Sequence, residues 1–309
     1  MKKADIVFYR DEPISFGFGL CHQLLRHGLC EAAIAMPYDH GQAMQILRES
    51  TSDCIVFLSP HMHRDFIREN HDNLLALGKP LLGYVSEWIF GNDTFPEARI
   101  FHREENWFHY YGATQNSDVD WFRSLGMKCE PVHLMLATDI FHAPPSDQKR
   151  LGEMVYIGHN NPWKTERIRI VNHLRDARLI REYSIPRTMD GAHIVAGKFR
   201  QFAAALCPPA HGRSHSIRCY EAAACGALVV ECQPLDNGNE YFIDGVHRVS
   251  FPSDLPAAEL CEFITKLYDF QQFTSIARNG HDFVHREFRA EVSFSRFLSA
   301  ANRALTEAA

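Results

Sequence analysis

Short apolar runs and helix-period stretches alternate along the chain from its start. Residues 4–10, ADIVFYR, form an apolar run of strand length, and the glycine-bearing stretch GFGLCHQLLRHG (17–28) turns into a helix. EAAIAM (31–36) predicts a second strand, GQAMQILRES (41–50) a helix, and DCIVFLS (53–59) a third strand. HRDFIRENHDNLLALG reads as a helix stopped by Gly78, followed by the strand KPLLGYVSE (79–87), and YYGATQN and CEPVHLML supply shorter strands. Strands alternating with helices at this spacing predict βαβ units and a parallel sheet.

Around residues 141–152 the pattern breaks. FHAPPSDQKRLGE holds two prolines, a serine and mixed charges between apolar segments, the composition of a linker. The alternation then restarts with MVYIG (154–158) as strand, KTERIRIVNHLRD (164–176) as helix and FAAALCPP (202–209) as strand. A short helix in SIRCYEAAACG leads into the strand ALVVECQ (227–233), and ELCEFITKLYDF and FSRFLSAANRAL close the chain as amphipathic helices. The expected fold is α/β, with two Rossmann-like domains facing each other across a cleft. Residues 1–145 form the first and 146–309 the second, with the last helix packing back on the first.

Composition changes this picture little. The 309 residues are 46% hydrophobic and 23% charged, as in an ordinary globular protein, and are enough for two cores. A formal charge of -6 gives no reason to expect nucleic acid as a partner. Nine cysteines with no C-x-x-C pair sit mostly inside apolar runs, which predicts reduced, buried thiols in a cytoplasmic protein and neither disulfides nor a zinc module. The N-terminal apolar run is too short for a signal peptide, and no segment approaches the roughly 18 apolar residues of a membrane span. Any membrane contact would be peripheral.

In such sheets ligands bind beyond the carboxyl ends of strands, where loops lead into helix N-termini. The richest such place is LCPPAHGRSHSIRCYEAAACG. Ser214 or Ser216 can cap the helix, Gly212 allows close backbone approach, and Arg213 and Arg218 bring positive charge to an end that already favours anions. Glu221 shares the inward stripe with Ile217 and Cys225, so its carboxylate needs a partner. An ordinary reading is open beside the functional one: Ser216 merely caps, and Glu221 merely pairs with Arg218 or Arg213.

Here the chain resembles a known family. Arg218-x-x-Glu221-Ala222-x-x-Cys225-Gly226-Ala227, followed by an apolar strand, is similar to the donor-site signature of GT-B glycosyltransferases of the "group 1" class and its spore-maturation-type relatives. HLMLATDIFHAPP, with Asp139, Phe141 and Pro144, looks like the segment that ends the family's first domain. VYIGHNNPWKTERIRIV, NEYFIDGVHRVSF and VHREFRAEVSFSRFL resemble later segments of its donor domain, so the likeness covers about two-thirds of the chain. The resemblance implies that Glu221 accepts hydrogen bonds from the ribose of a nucleotide and that the helix start near Ser214 and Ser216 meets the diphosphate. One position departs. Where many members carry a second, sugar-contacting glutamate, eight positions before the first, this chain has Arg213.

Three other places attract candidates. After the strand ending in Gly158, the residues Asn160, Asn161, Lys164 and Arg167 precede a helix, and a Lys/Arg pair there can neutralise a leaving diphosphate; Lys198 and Arg200 are weaker candidates for that role. After the first strand, Gly17 and Gly19 free the backbone on the acceptor side, and Asp11, Glu12 and His22 are candidate bases. His22 stands where a full G-x-G-x-x-G would carry glycine, which argues against a dinucleotide cofactor. Beyond later strand ends lie His61, His63 and Glu87, as acceptor contacts or a base; among 18 histidines a His-x-His pair arises by chance, so no metal is expected. The aromatic residues of ENWFHYYG suit core packing better than ligand stacking.

The reading that follows is a metal-independent glycosyltransferase with no cofactor, using a nucleoside-diphosphate sugar as co-substrate. Its acceptor is a hydroxyl of a saccharide, a lipid-linked sugar or a small molecule. The alternatives are a nucleotide-sugar epimerase or isomerase on the same architecture, and a non-catalytic nucleotide- or sugar-binding relative.

Overall fold

The computed structural model describes residues 1–9, 18–36, 39–86, 96–105, 107–158, 165–184, 190–208, 215–233 and 241–307. They fall into two compact units, Met1–Ala137 with Ala290–Ala309, and Thr138–Arg289.

The first unit is a six-stranded parallel sheet. Its strands are β1 (Ala4–Tyr9), β2 (Cys30–Met36), β3 (Cys54–Leu58), β4 (Leu81–Val85), β5 (Tyr110–Ala113) and β6 (Cys129–Pro131), in the spatial order β2-β1-β3-β4-β5-β6. Every residue of β3 and β4 is buried, as expected of parallel strands covered by helices on both faces. The helices are α1 (Phe18–Arg26), α2 (His40–Glu49), α3 (Arg64–Ala76), α4 (Pro96–Glu104) and α5 (Asn116–Ser124). Asp39 starts α2 by accepting from the Gln42 amide at 2.9 Å, a side-chain cap for an otherwise orphaned donor.

The stretch CEPVHLML is strand only over its first three residues. Leu134, Met135 and Leu136 are buried without a ladder, because the Tyr84 hydroxyl donates to the His133 carbonyl at 3.2 Å and accepts from the Met135 amide at 3.1 Å. A side chain there does the work of a neighbouring strand. The last helix, α11 (Ala290–Thr306), belongs to this unit: Phe297 packs on Tyr84 and Tyr110, and Ser293 Oγ donates to the Leu134 carbonyl.

The second unit is a five-stranded parallel sheet of β7 (Leu151–Ile157), β8 (Arg181–Tyr183), β9 (Phe202–Cys207), β10 (Leu228–Cys232) and β11 (Val249–Phe251), in the order β11-β10-β9-β7-β8. Its helices are α6 (Thr165–Asp176), α7 (Gly191–Gln201), α8 (Ile217–Ala224), α9 (Ala257–Lys266) and α10 (Thr274–Glu287). β7 begins inside the segment read as linker, since Leu151 pairs with Phe202 across an irregular register. Arg150 explains why that segment is ordered. Its guanidinium donates to the Phe202 carbonyl at 3.0 Å and to the Cys225 carbonyl beyond the end of α8, so one half-buried fork ties two segments together.

Candidate functional site

The second sheet reverses its strand order between β7 and β9. The chain runs outward from β7 to β8, then returns past β7 to β9 and continues to β10 and β11. In doubly wound sheets this is where a crevice opens at the carboxyl ends of the strands.

Gly158 lies directly after β7. A Cβ there would collide with the ring and hydroxyl of Tyr156, so any side chain at this position would have to displace that buried tyrosine. α8 follows β9. Ser216 caps it, with Oγ accepting from the Arg218 amide at 3.3 Å. Arg218 and Glu221 form an ion pair one turn apart, and both are buried. Arg167, on the first turn of α6, has its guanidinium at the Tyr156 hydroxyl and near Arg218. Burial lowers its pKa, the Tyr156 contact opposes that, and Arg218 adds to the lowering. Two arginines and one carboxylate therefore converge where the sheet reverses.

A second cluster adjoins the same helix start. Glu231, on β10, accepts from His215 Nδ1 at 2.7 Å, from Cys219 Sγ at 2.8 Å and from Arg248 at 2.8 Å. Burial alone would push the His215 imidazole down. The carboxylate, with hydrogen bonds to Cys219 and Glu231, overcomes this and holds it up at about 10. His215, Cys219 and Glu231 also lie close enough together for a metal ion. Arg248 already occupies the carboxylate, however, and burial keeps the Cys219 thiol well above its ordinary range, so the group is built as a hydrogen-bonded ion network. Sequence reasoning passed over this cluster; the signal available was a glutamate inside the apolar strand LVVEC.

Lys198 and Arg200 lie elsewhere. They end α7, which runs straight into the start of β9, the opposite end of that strand from α8. Arg200 donates to the Ile140 carbonyl at 3.1 Å and contacts His142, and the Lys198 ammonium sits 4.4 Å over the Tyr183 ring.

In the first unit the strand order also reverses, between β1 and β3. Ser59 follows β3 with a left-handed backbone (φ 51°), and Pro60–His63 make a 3-10 turn into α3. A cavity of about 500 Å³ opens here, lined among others by Met36, His40, His61, Arg64, Phe66 and Glu97. Burial drives His61 down to about 4 and His63 to about 3, so both are neutral at pH 7. His63 Nε2 bonds the Leu58 carbonyl at 3.0 Å, while the His61 ring packs edge-on against His102. His22 is exposed on α1 and Gly19 is half-buried there. Phe108, Tyr110 and Tyr111 are core residues. Asp11, Glu12, Gly17, Glu87, Asn160, Asn161, Lys164, Gly212, Arg213 and Ser214 lie outside the described residues.

The model of the glycosyl transferase-like family matches residues 143–299, just over half of the chain. The chain belongs to that family. Among curated proteins none matches its sequence. Solved glycosyltransferase structures share its fold along nearly the whole length. Anabaena HepE in complex with UDP-glucose superposes with a TM-score of 0.63 at 14% identity, over 96% of this chain and 99% of that one. HepE with UDP and glucose gives 0.66 at 13% identity, over 96% and 99%. Sucrose-phosphate synthase from Thermosynechococcus elongatus gives 0.63 at 11% identity, over 99% and 100%. The glycosyltransferase described here thus has the GT-B fold of two Rossmann-like domains, and its matched family segment contains β7, β9, α8 and β10. Among the described residues no helix is long and apolar enough to cross a membrane.

Proposed function

We propose that this glycosyltransferase moves a sugar from a nucleoside-diphosphate donor to an acceptor hydroxyl, and that the donor binds at the carboxyl edge of the second sheet. The buried Arg218–Glu221 pair at the start of α8 carries this reading. Glu221 accepts from the ribose hydroxyls and Arg218 holds its carboxylate in place. The amides at the capped start of α8 face the diphosphate with the guanidinium groups of Arg218 and Arg167, and as the glycosidic bond breaks they offset the charge gathering on the leaving group. These side chains and backbone donors supply that charge without a metal.

The cavity in the first unit takes the acceptor. The neutral imidazole of His61 is in the form that accepts a hydrogen bond from a hydroxyl. HepE has been solved with UDP-glucose, which makes uridine donors the first to try.

Thermal shift against UDP, GDP, ADP, CMP and dTDP, followed by product analysis with the sugar form of the strongest ligand, tests the reading. Stabilisation of the wild type by one of these, abolished in Glu221→Gln, supports it. Failure of every nucleotide to stabilise the chain overturns it. Conversion of the donor with no acceptor present favours an epimerase, and donor binding without turnover favours a non-catalytic binding protein.

A further inference from the structure

His215 immediately precedes Ser216, the cap of α8, and its imidazole is buried rather than turned to solvent. Its Nδ1 is 2.7 Å and 2.8 Å from the two oxygens of Glu231, which stands on a different strand. Glu231 also takes hydrogen bonds from Cys219, inside α8, and from Arg248, whose Nε donates to the Phe242 carbonyl at 2.8 Å. One carboxylate therefore joins the residue before α8, the helix itself and the turn leading to β11. Among the described residues, His215 packs on Glu231 from β10, Cys219 and Tyr220 from α8, and the Phe242 ring; behind them lie Arg248, with Cys207 beside Cys219 and Tyr241 beside Tyr220. Glu231 thus holds two cations, His215 and Arg248, and His215 stands directly ahead of a helix end that is itself positive.

We propose that the His215–Glu231–Arg248 cluster supplies fixed positive charge to the diphosphate subsite at the start of α8, with His215 as its positioning residue. The proposal rests on the donor-site reading above and assigns it a part that the Arg218–Glu221 pair does not cover. The anion gains twice. The imidazolium adds charge to the helix end, and the grip of Glu231 holds Ser216 and the first turn in place before the ligand arrives, so little ordering remains to oppose binding.

The test measures binding of UDP, uridine and inorganic pyrophosphate to the full chain by calorimetry. His215→Gln is expected to weaken UDP and pyrophosphate by about tenfold while uridine affinity is unchanged. In Glu231→Gln burial is no longer offset and takes the imidazole below its ordinary range, so UDP affinity near neutral pH is expected to fall by about as much as in His215→Gln. Wild-type affinity for UDP in either His215→Gln or Glu231→Gln overturns the proposal. Stoichiometric zinc retained by the wild type through chelation overturns it too, because it makes the cluster a metal site. If Glu231→Gln does not fold, His215→Arg decides beside His215→Gln. Recovery of UDP affinity with the arginine supports a charge role, and equal loss in both overturns it. If Glu221→Gln leaves UDP binding intact, the donor-site reading itself fails, whatever His215 does.

Discussion

Arg218 and Glu221, three residues apart on α8, meet in an ion pair with both side chains buried. Helical side chains lean toward the N-terminus, so the Glu221 carboxylate lies back over the turn that Ser216 caps. The pair is thereby aimed at the strand ends and away from the helix's exit.

Glu221→Gln keeps the shape and removes the charge. It is expected to fold and to lose about 2 kcal/mol of donor affinity, near the value of a hydrogen bond to a charged group. Calorimetry and kcat/KM with the nucleotide sugar check this. Glu221→Ala is the less informative variant, since it removes the hydrogen-bond acceptor and the side-chain volume as well as the charge, and destabilises the fold whether or not ribose binds there.

Arg150→Ala strips a fork that serves the carbonyls of Phe202 and Cys225. A loss of about 2–3 kcal/mol in denaturant unfolding of the second unit is expected, because buried acceptors are left without their donor. Arg150→Lys should recover little, as an ammonium lacks the planar fork that spans two carbonyls.

Gly280→Ala tests packing against propensity. An alanine inside α10 would ordinarily stabilise a helix by about 1 kcal/mol. At this position the new Cβ falls 2.5 Å from the His247 carbonyl oxygen, a backbone atom with little room to move. Net destabilisation of about 1–3 kcal/mol is expected, read as a lowered midpoint in urea.

Acid should act on the first unit through its histidines. Burial lowers the pKa of His61 to about 4 and His63 to about 3, and holds His102 well below its usual range. Unfolded, each titrates near about 6.5, so the unfolded chain binds more protons below that pH. The stability these residues contribute is full above about 6.5 and is lost as pH falls toward their folded values. His102→Phe, set among Phe101, Tyr111 and Phe122, should make the acid limb of a stability–pH curve shallower.

Much of the architecture was legible in local pattern. Continuous apolar runs such as CIVFL and LLGYV became fully buried strands, and the amphipathic stretch at the C-terminus became a helix. Of the two partners weighed for Glu221, Arg218, the one visible at helical spacing, does meet it, while Arg213 lies outside the described residues. Other elements gave weak signals. α10 has few apolar positions and a glycine inside it, and β8 is only three residues long, REY. The segment 132–136, buried at Leu134, Met135 and Leu136, looked like strand because those side chains are apolar, although its backbone finds a tyrosine hydroxyl in place of a neighbouring ladder.

The limit shows most clearly at Glu231. Its place in an apolar run marks it as a buried charge needing partners, but His215 and Cys219 come from the start of α8 and Arg248 from the turn before β11, and no periodicity links either to Glu231. By itself the sequence determined what depends on neighbours in the chain: the alternation of strand and helix, the start of α8 and the Arg218–Glu221 spacing. Only the tertiary structure decided which distant groups share a charge and where Arg150 reaches. Hydrophobic periodicity reports which face is buried, and never what it is buried against.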